Sequence, residues 1–208
     1  MIDSAPVTDA GTDPASDPTA VPAIDPAPTD PAFLTIGHSN RSLEEFLDLL
    51  TDSGAEVVID VRKLPGSRAN PQFNADVLAE ALAERGIELR RLEGLTGRRT
   101  VSRDVPFDVN AWWENRSFHN YADHALAEEF ALDIDVLLAW GDAQRCAVMC
   151  SEAVWWRCHR RIIADYLLAH GQDVVHVLGR DQTAEAVLSS GAVVDADAEP
   201  VRITYPKR

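Results

Sequence analysis

No lysine or arginine occurs in residues 1–31, a stretch that holds six aspartates (3, 9, 13, 17, 25 and 30) and seven of the chain's twelve prolines. Such a segment has too little apolar surface to offset the entropy of ordering, so a disordered acidic leader is expected over 1–31. The 208-residue chain carries a formal charge of −15, and removing the leader's −6 leaves −9 on the rest. A surface of that sign repels duplex nucleic acid at long range and disfavours it as a partner, although a local arginine patch can still hold a phosphate. No apolar run reaches the roughly 18 residues of a membrane span, so no membrane association is expected. Cysteine is scarce as well. Three cysteines, an odd number, without a secretory signal pattern point to reduced thiols in a cytoplasmic protein. Walker loop, Rossmann glycine fingerprint and nucleophile elbow are all missing, which removes the commonest nucleotide and hydrolase arrangements. Nothing indicates a cofactor.

What the chain does contain is enough apolar material, 46% of residues, for one α/β core. Phe33 to Ile36 reads as a strand breaking at Gly37. Ser42-Leu43-Glu44-Glu45 then forms a capping box for a helix to about Ser53, with Gly54 at its C′ position. Val57-Val58-Ile59 is a second buried strand, closing in Asp60-Val61-Arg62. Strand, helix and strand in about thirty residues predict a βαβ unit with its strands as parallel neighbours. A long loop, Lys63 to Asn74, precedes a helix over Ala75–Arg85 and a strand over Ile87–Leu92. Glu93 to Asn110 is polar and basic, without an assigned element. Tyr121, Leu126, Phe130, Ile134, Leu137 and Leu138 fit one amphipathic helix from about Asn120 to Trp140.

Cys146 to Met149 is a short apolar strand, and Ser151 offers a cap for a helix that starts at once and ends at Gly171. Val174 to Leu178 is a further strand. Beyond Gly179 one short helix and a weak strand, Val201 to Tyr205, are expected. The alternation defines a three-layer, Rossmann-like α/β domain with a mainly parallel sheet flanked by helices. It would span residues 32–180, with 181–208 as a C-terminal extension.

Candidate chemistry gathers where strands end, since open α/β sheets bind ligands at their carboxyl edge. Cys150 falls at such an end and at a predicted helix N-terminus, where a dipole and Arg157 or Arg160 would lower its pKa. The alternative is a buried cysteine packing as a small hydrophobe. Glu152 could be a general base or simply a helix-start carboxylate. His159 falls on one helical stripe with Glu152, Trp155 and Trp156, either as a proton carrier or as a buried, hydrogen-bonded core residue. His38 follows the first strand at a glycine turn. Asp60 and Arg62, two residues apart, share a face and can hold a ligand or each other. Arg62, Arg68 and Ser67 would make a forked clamp for an anion. Trp112, Trp113, Phe118, His119 and Tyr121 with Arg116 form an aromatic cluster able to stack a base or to cap the sheet. Cys146, Cys150, Cys158 and His159 offer soft ligands, but C-x3-C-x7-C-H matches no usual zinc spacing, and no metal is expected.

Three motifs in order, Thr35-Ile36-Gly37-His38-Ser39-Asn40, then Ile59-Asp60-Val61-Arg62 with Pro65 and Ser67-Arg68, then Met149-Cys150-Ser151-Glu152 with Cys158-His159-Arg160, resemble the Domain of Unknown Function 488 family. The likeness covers roughly Phe33 to Val177. It implies a site at His38, Asp60, Arg62, Ser67, Cys150, Glu152, Cys158, His159 and Arg160, with Tyr121 matching a tyrosine ahead of a helix. A looser similarity to rhodanese-like domains rests on Val58 to Arg62 and on Cys150 at a strand–helix junction.

Three functions stay open. The first is an enzyme on a small anionic or nucleotide-like substrate, with Arg62 and Arg68 holding the anion, Cys150 as nucleophile or persulfide carrier and His38 or His159 moving protons. The second is a non-catalytic module binding a nucleotide or nucleic-acid end, which needs Trp112 or Tyr121 exposed beside arginines. The third is an adaptor whose buried Cys–His–Glu network only specifies packing. The oligomeric state is not legible.

Overall fold

A computed structural model describes residues 31–66 and 68–207. The predicted leader and Ser67 therefore lie outside the described residues, apart from Pro31. Six strands build the central sheet: β1 (Phe33–Gly37), β2 (Val57–Asp60), β3 (Glu88–Arg91), β4 (Cys146–Cys150), β5 (Val174–Gly179) and β6 (Gln182–Glu185). Their order is β3-β2-β4-β1-β5-β6, parallel except for β6, which runs antiparallel to β5. This is the three-layer α/β architecture that the alternation of elements predicts.

Helices α1 (Leu43–Asp52) and α2 (Ala75–Glu84) bury Phe46, Leu47, Leu49, Leu50, Leu78 and Leu82 against one face. Helices α3 (Arg116–His124), α4 (Glu128–Gly141) and α5 (Arg160–Ala169) cover the other with Tyr121, Phe130, Ile134, Leu137 and Ile162. Full burial of such side chains is worth about 1.5–3 kcal/mol each, which is why the two layers hold. Ser42 caps α1 by accepting from the Glu45 N–H at 3.1 Å, and Gly54 takes φ +68° after its end, as the sequence predicts.

The β1–β2 pairing does not form. β4 lies between them, bonded to both. β4 is wholly buried, and a central position satisfies both of its edges. The consequence is functional. The helix after β1 goes to one face and the helix after β4 to the other, so the carboxyl ends of these neighbours diverge into a crevice.

Two helix boundaries also differ from the sequence reading. The helix expected over 120–140 is broken at Ala125–Ala127. Tyr166 donates its hydroxyl to the Ala125 carbonyl at 2.9 Å, and Ala127 N–H turns back to His124 O. The helix expected from Ser151 starts nine residues later. Ser151 and Glu152 carbonyls accept instead from Ser39 N–H and the Arg160 guanidinium, and Trp155–Arg157 forms a single 3-10 turn.

The segment after Gly179 carries no helix among the described residues. It supplies β6, then a hairpin of β7 (Val193–Asp195) and β8 (Arg202–Thr204). Ile203 and Tyr205 are fully buried in the core on the α3–α5 side. Tyr205 donates its hydroxyl to Asp165 at 2.8 Å, and its N–H bonds Asn110 Oδ1 and Val109 O.

Candidate functional site

The pleat of β4 decides which side chains can meet. Cys146, Val148 and Cys150 project to the α3–α5 side, Ala147 and Met149 to the α1–α2 side. Cys150 thus faces the start of α5, and Cys158 and His159, just ahead of that helix, come to it. The Cys150 and Cys158 sulfurs and a His159 ring nitrogen lie within 4.8 Å of one another.

Cys158 has the chemistry that the sequence assigns to Cys150. Its sulfur accepts from Arg160 Nε at 3.3 Å and lies 3.7 Å from His159 Nδ1. His159 Nε2 donates to the Val61 carbonyl at 3.1 Å, so in the neutral ring Nδ1 turns its lone pair toward the sulfur. Burial pushes the Cys158 thiol up, but the neighbouring Cys150 thiol and the Arg160 charge outweigh it and bring the pKa down to about 6. Cys150 moves the opposite way, pushed up to about 12 by the neighbouring Cys158 sulfur and by its own burial. The two shifts favour the negative charge on Cys158 and the proton on Cys150. The displaced helix sets this arrangement: Cys158 and His159, and not Cys150, lie just ahead of α5.

Arg160 supplies the strongest physical argument. It is 1% exposed, and its contacts among the described residues are the Glu152 carbonyl and the Cys158 sulfur, with no carboxylate partner. A buried guanidinium needs an anion beside it. Of its two contacts, only the Cys158 sulfur can carry that charge.

The cluster opens into a cavity of about 300 Å³ lined by Arg62, Lys63, Arg98, Arg157, Glu152 and Tyr121, among others. The exposed side chains of Lys63, Arg98 and Arg157 make no hydrogen bond or ion pair among the described residues. The exposed Glu152 is the one carboxylate among the lining residues. The mouth is therefore cationic, although the protein as a whole is acidic.

The remaining predicted residues divide. Tyr121 is buried, donates to the Leu95 carbonyl at 2.7 Å and tilts over the His159 ring at 4.7 Å, so it positions the imidazole. Asp60 and Arg62 hold each other, Nη2 to Oδ2 at 2.7 Å, and Arg62 also donates to the Phe73 carbonyl at 2.8 Å. That pair ties down the 61–74 loop and leaves Arg62 little capacity for a substrate. His38 stacks on Phe73 at 4.2 Å, with Nδ1 on the Ser39 carbonyl and Nε2 facing Arg62 at 3.4 Å. Burial, with Arg62 beside it, lowers its pKa to about 4 despite the Ser39 bond. Both ring nitrogens are occupied, and His38 sits with the α1–α2 layer, apart from the thiols. Arg68 is exposed and outside the cavity lining.

Two glycines that sequence reasoning did not single out as site residues set the fit. A Cβ on Gly37 would lie 1.8 Å from the Glu152 carbonyl, and one on Gly97 2.7 Å from His159 Cε1. Lys63 and Arg98 were missed because a surface cation carries no signal until the fold shows what it faces.

Three donors within 4.8 Å could geometrically hold a soft metal ion, even though their sequence spacing follows no usual zinc pattern. Arg160 already places a positive charge 3.3 Å from one of the sulfurs, which opposes a second cation there.

The fold and this crevice define an α/β protein with a thiol–imidazole–guanidinium cluster at the carboxyl edge of its sheet. The match to the family described as "Domain of unknown function DUF488" covers residues 42–167, more than half of the chain, and the protein belongs to that family. No curated protein and no solved structure matches it. No helix among the described residues is long and apolar enough to cross a membrane.

Proposed function

We propose that the protein is an enzyme acting on a small anionic substrate through a cysteine thiolate at Cys158. The observation that carries this reading is the buried Arg160, whose charge is matched by that sulfur alone. A thiolate stabilised in this way is the reactive form of cysteine. His159 Nδ1 takes or returns a proton. Lys63, Arg98 and Arg157 draw the anion in. The role first assigned to Cys150 passes to its neighbour, and Arg68 and His38 have no part in the chemistry. A nucleotide-binding module is less well supported, because Tyr121 is buried and the Trp112–Trp113 pair packs on Tyr205.

The test is alkylation resolved residue by residue against pH. Cys158 should react with an apparent pKa near the value of about 6 given above. It should prefer iodoacetate to iodoacetamide more than a free thiol does, and Arg157→Glu should reduce that preference several-fold. Reaction at Cys150 first, or none at either residue, would overturn the assignment.

A further inference from the structure

The proposed thiolate leaves one group without a role. A single-thiol enzyme needs only a charge and a base beside its nucleophile, which Arg160 at 3.3 Å and His159 at 3.7 Å supply, yet a second thiol also lies within 4.8 Å. Cys150 and Cys158 are both free, both line the cavity, and hold their sulfurs within 4.8 Å of each other. They are joined by a seven-residue loop whose backbone is anchored at Ser151 and Glu152.

Resting on the thiolate reading, we infer that Cys150 is the resolving thiol of Cys158, and that the substrate class is a small anion bearing an electrophilic sulfur, such as the disulfide of an acidic thiol. Acyl or phosphoryl adducts of Cys158 gain nothing from a neighbouring thiol, because attack on them only transfers the group. A sulfur adduct is different, since the second thiol attacks the Cys158 sulfur itself and frees the substrate.

The steps balance. The Cys158 thiolate attacks one sulfur of RS–SR; the S–S bond breaks, a Cys158–S–S–R bond forms and RS⁻ leaves through the cationic mouth. Cys150 passes its proton to His159 Nδ1 and attacks the Cys158 sulfur. The mixed disulfide breaks, the Cys150–Cys158 disulfide forms and the second RS⁻ departs with the imidazolium proton. The substrate gains two electrons and the dithiol loses two. An external thiol or dithiol reductant returns the protein to its starting state. His159 acts through a nitrogen that the Val61 carbonyl fixes, since Nε2 is held at 3.1 Å and Nδ1 alone is free to cycle.

The experiment uses the full reduced chain and one probe, sulfonatoethyl methanethiosulfonate, an anion that places R–S on a thiolate with loss of methanesulfinate. Intact mass and peptide mapping are read after one equivalent. The wild type should release 2-mercaptoethanesulfonate and lose two hydrogens, with Cys150 and Cys158 joined. Cys150→Ser should keep one stable adduct, mapped to Cys158. A stable adduct on Cys158 in the wild type would overturn the resolving role and leave the thiolate reading intact. No adduct on Cys158 in either protein, with or without a chelator, would overturn both. Adduct formation that begins only after chelation would also overturn both, and would make the three donors a metal site.

Discussion

At the scale of single residues the site depends on one unusual pairing, a buried arginine whose partner is a sulfur. Arg160→Gln removes the cation and leaves only the neighbouring Cys150 to oppose the effect of burial on Cys158. The alkylation pKa of Cys158 should then rise to the free-thiol value of about 8.5 or beyond. At neutral pH the reaction should slow by roughly ten-fold or more, since the thiolate fraction falls tenfold per unit. A pH–rate profile distinguishes this from misfolding, because the limiting rate at high pH should persist. An unchanged profile would separate Arg160 from the thiol. Much of this was legible. The residues Cys150, Glu152, Cys158, His159 and Arg160 stand out as a group in the sequence. Which thiol is charged was not, because the Ser151 cap signal is outcompeted by Ser39 and Arg160, and the helix start moves with it.

Among elements, the contacts that matter are places where backbone approaches backbone or ring. The Val61 carbonyl, just past β2, accepts from both Gly97 N–H and His159 Nε2 at 3.1 Å. Any side chain on Gly97 enters the His159 ring. Gly97→Ala should cost about 1–3 kcal/mol as overpacking, and should lower Cys158 reactivity toward the anionic reagent while leaving the far-UV spectrum unchanged. Urea titration and alkylation rates measured on the same preparation test both halves. Local signals give α1, α2, β3 and β5 almost to the residue, since caps and glycines are short-range. The place of β4 between β1 and β2 is long-range. No local pattern sets strand order, and so the division of His38 from Cys150 by the pleat could not be foreseen.

Over the whole molecule, two neutral histidines bracket the sheet. His38 and His176 are each lowered to about 4, in both cases chiefly by burial, with Arg62 acting on the first and Arg160 on the second. His176 bonds Thr35 and stacks on Trp155 at 4.3 Å. Between pH 4 and the ordinary imidazole value of 6.5 the unfolded chain binds more protons than the folded one. The stability these histidines confer is therefore complete above 6.5 and is lost as pH falls through 4. The urea midpoint should drop steadily across that window, and His176→Asn should flatten the slope. A midpoint flat across this range would refute the assignment. The tail after Gly179 belongs to this scale too. Its sequence looks weak because β8 is only three residues long, yet Tyr205 ties it to Asp165 in the core.

The sulfur counterion of Arg160 also makes the chain a thermometer of its own chemistry. Any lasting cap on Cys158, whether an alkyl group or a trapped substrate fragment, turns the anion neutral and leaves a guanidinium stranded in the interior. Removing one member of a buried pair costs about 3–5 kcal/mol. The capped protein should therefore melt several degrees lower, on the order of 5 °C or more for a domain of this size. A plain thermal-shift screen of electrophiles would then show ligands that lower the melting temperature as the hits, the reverse of ordinary binding.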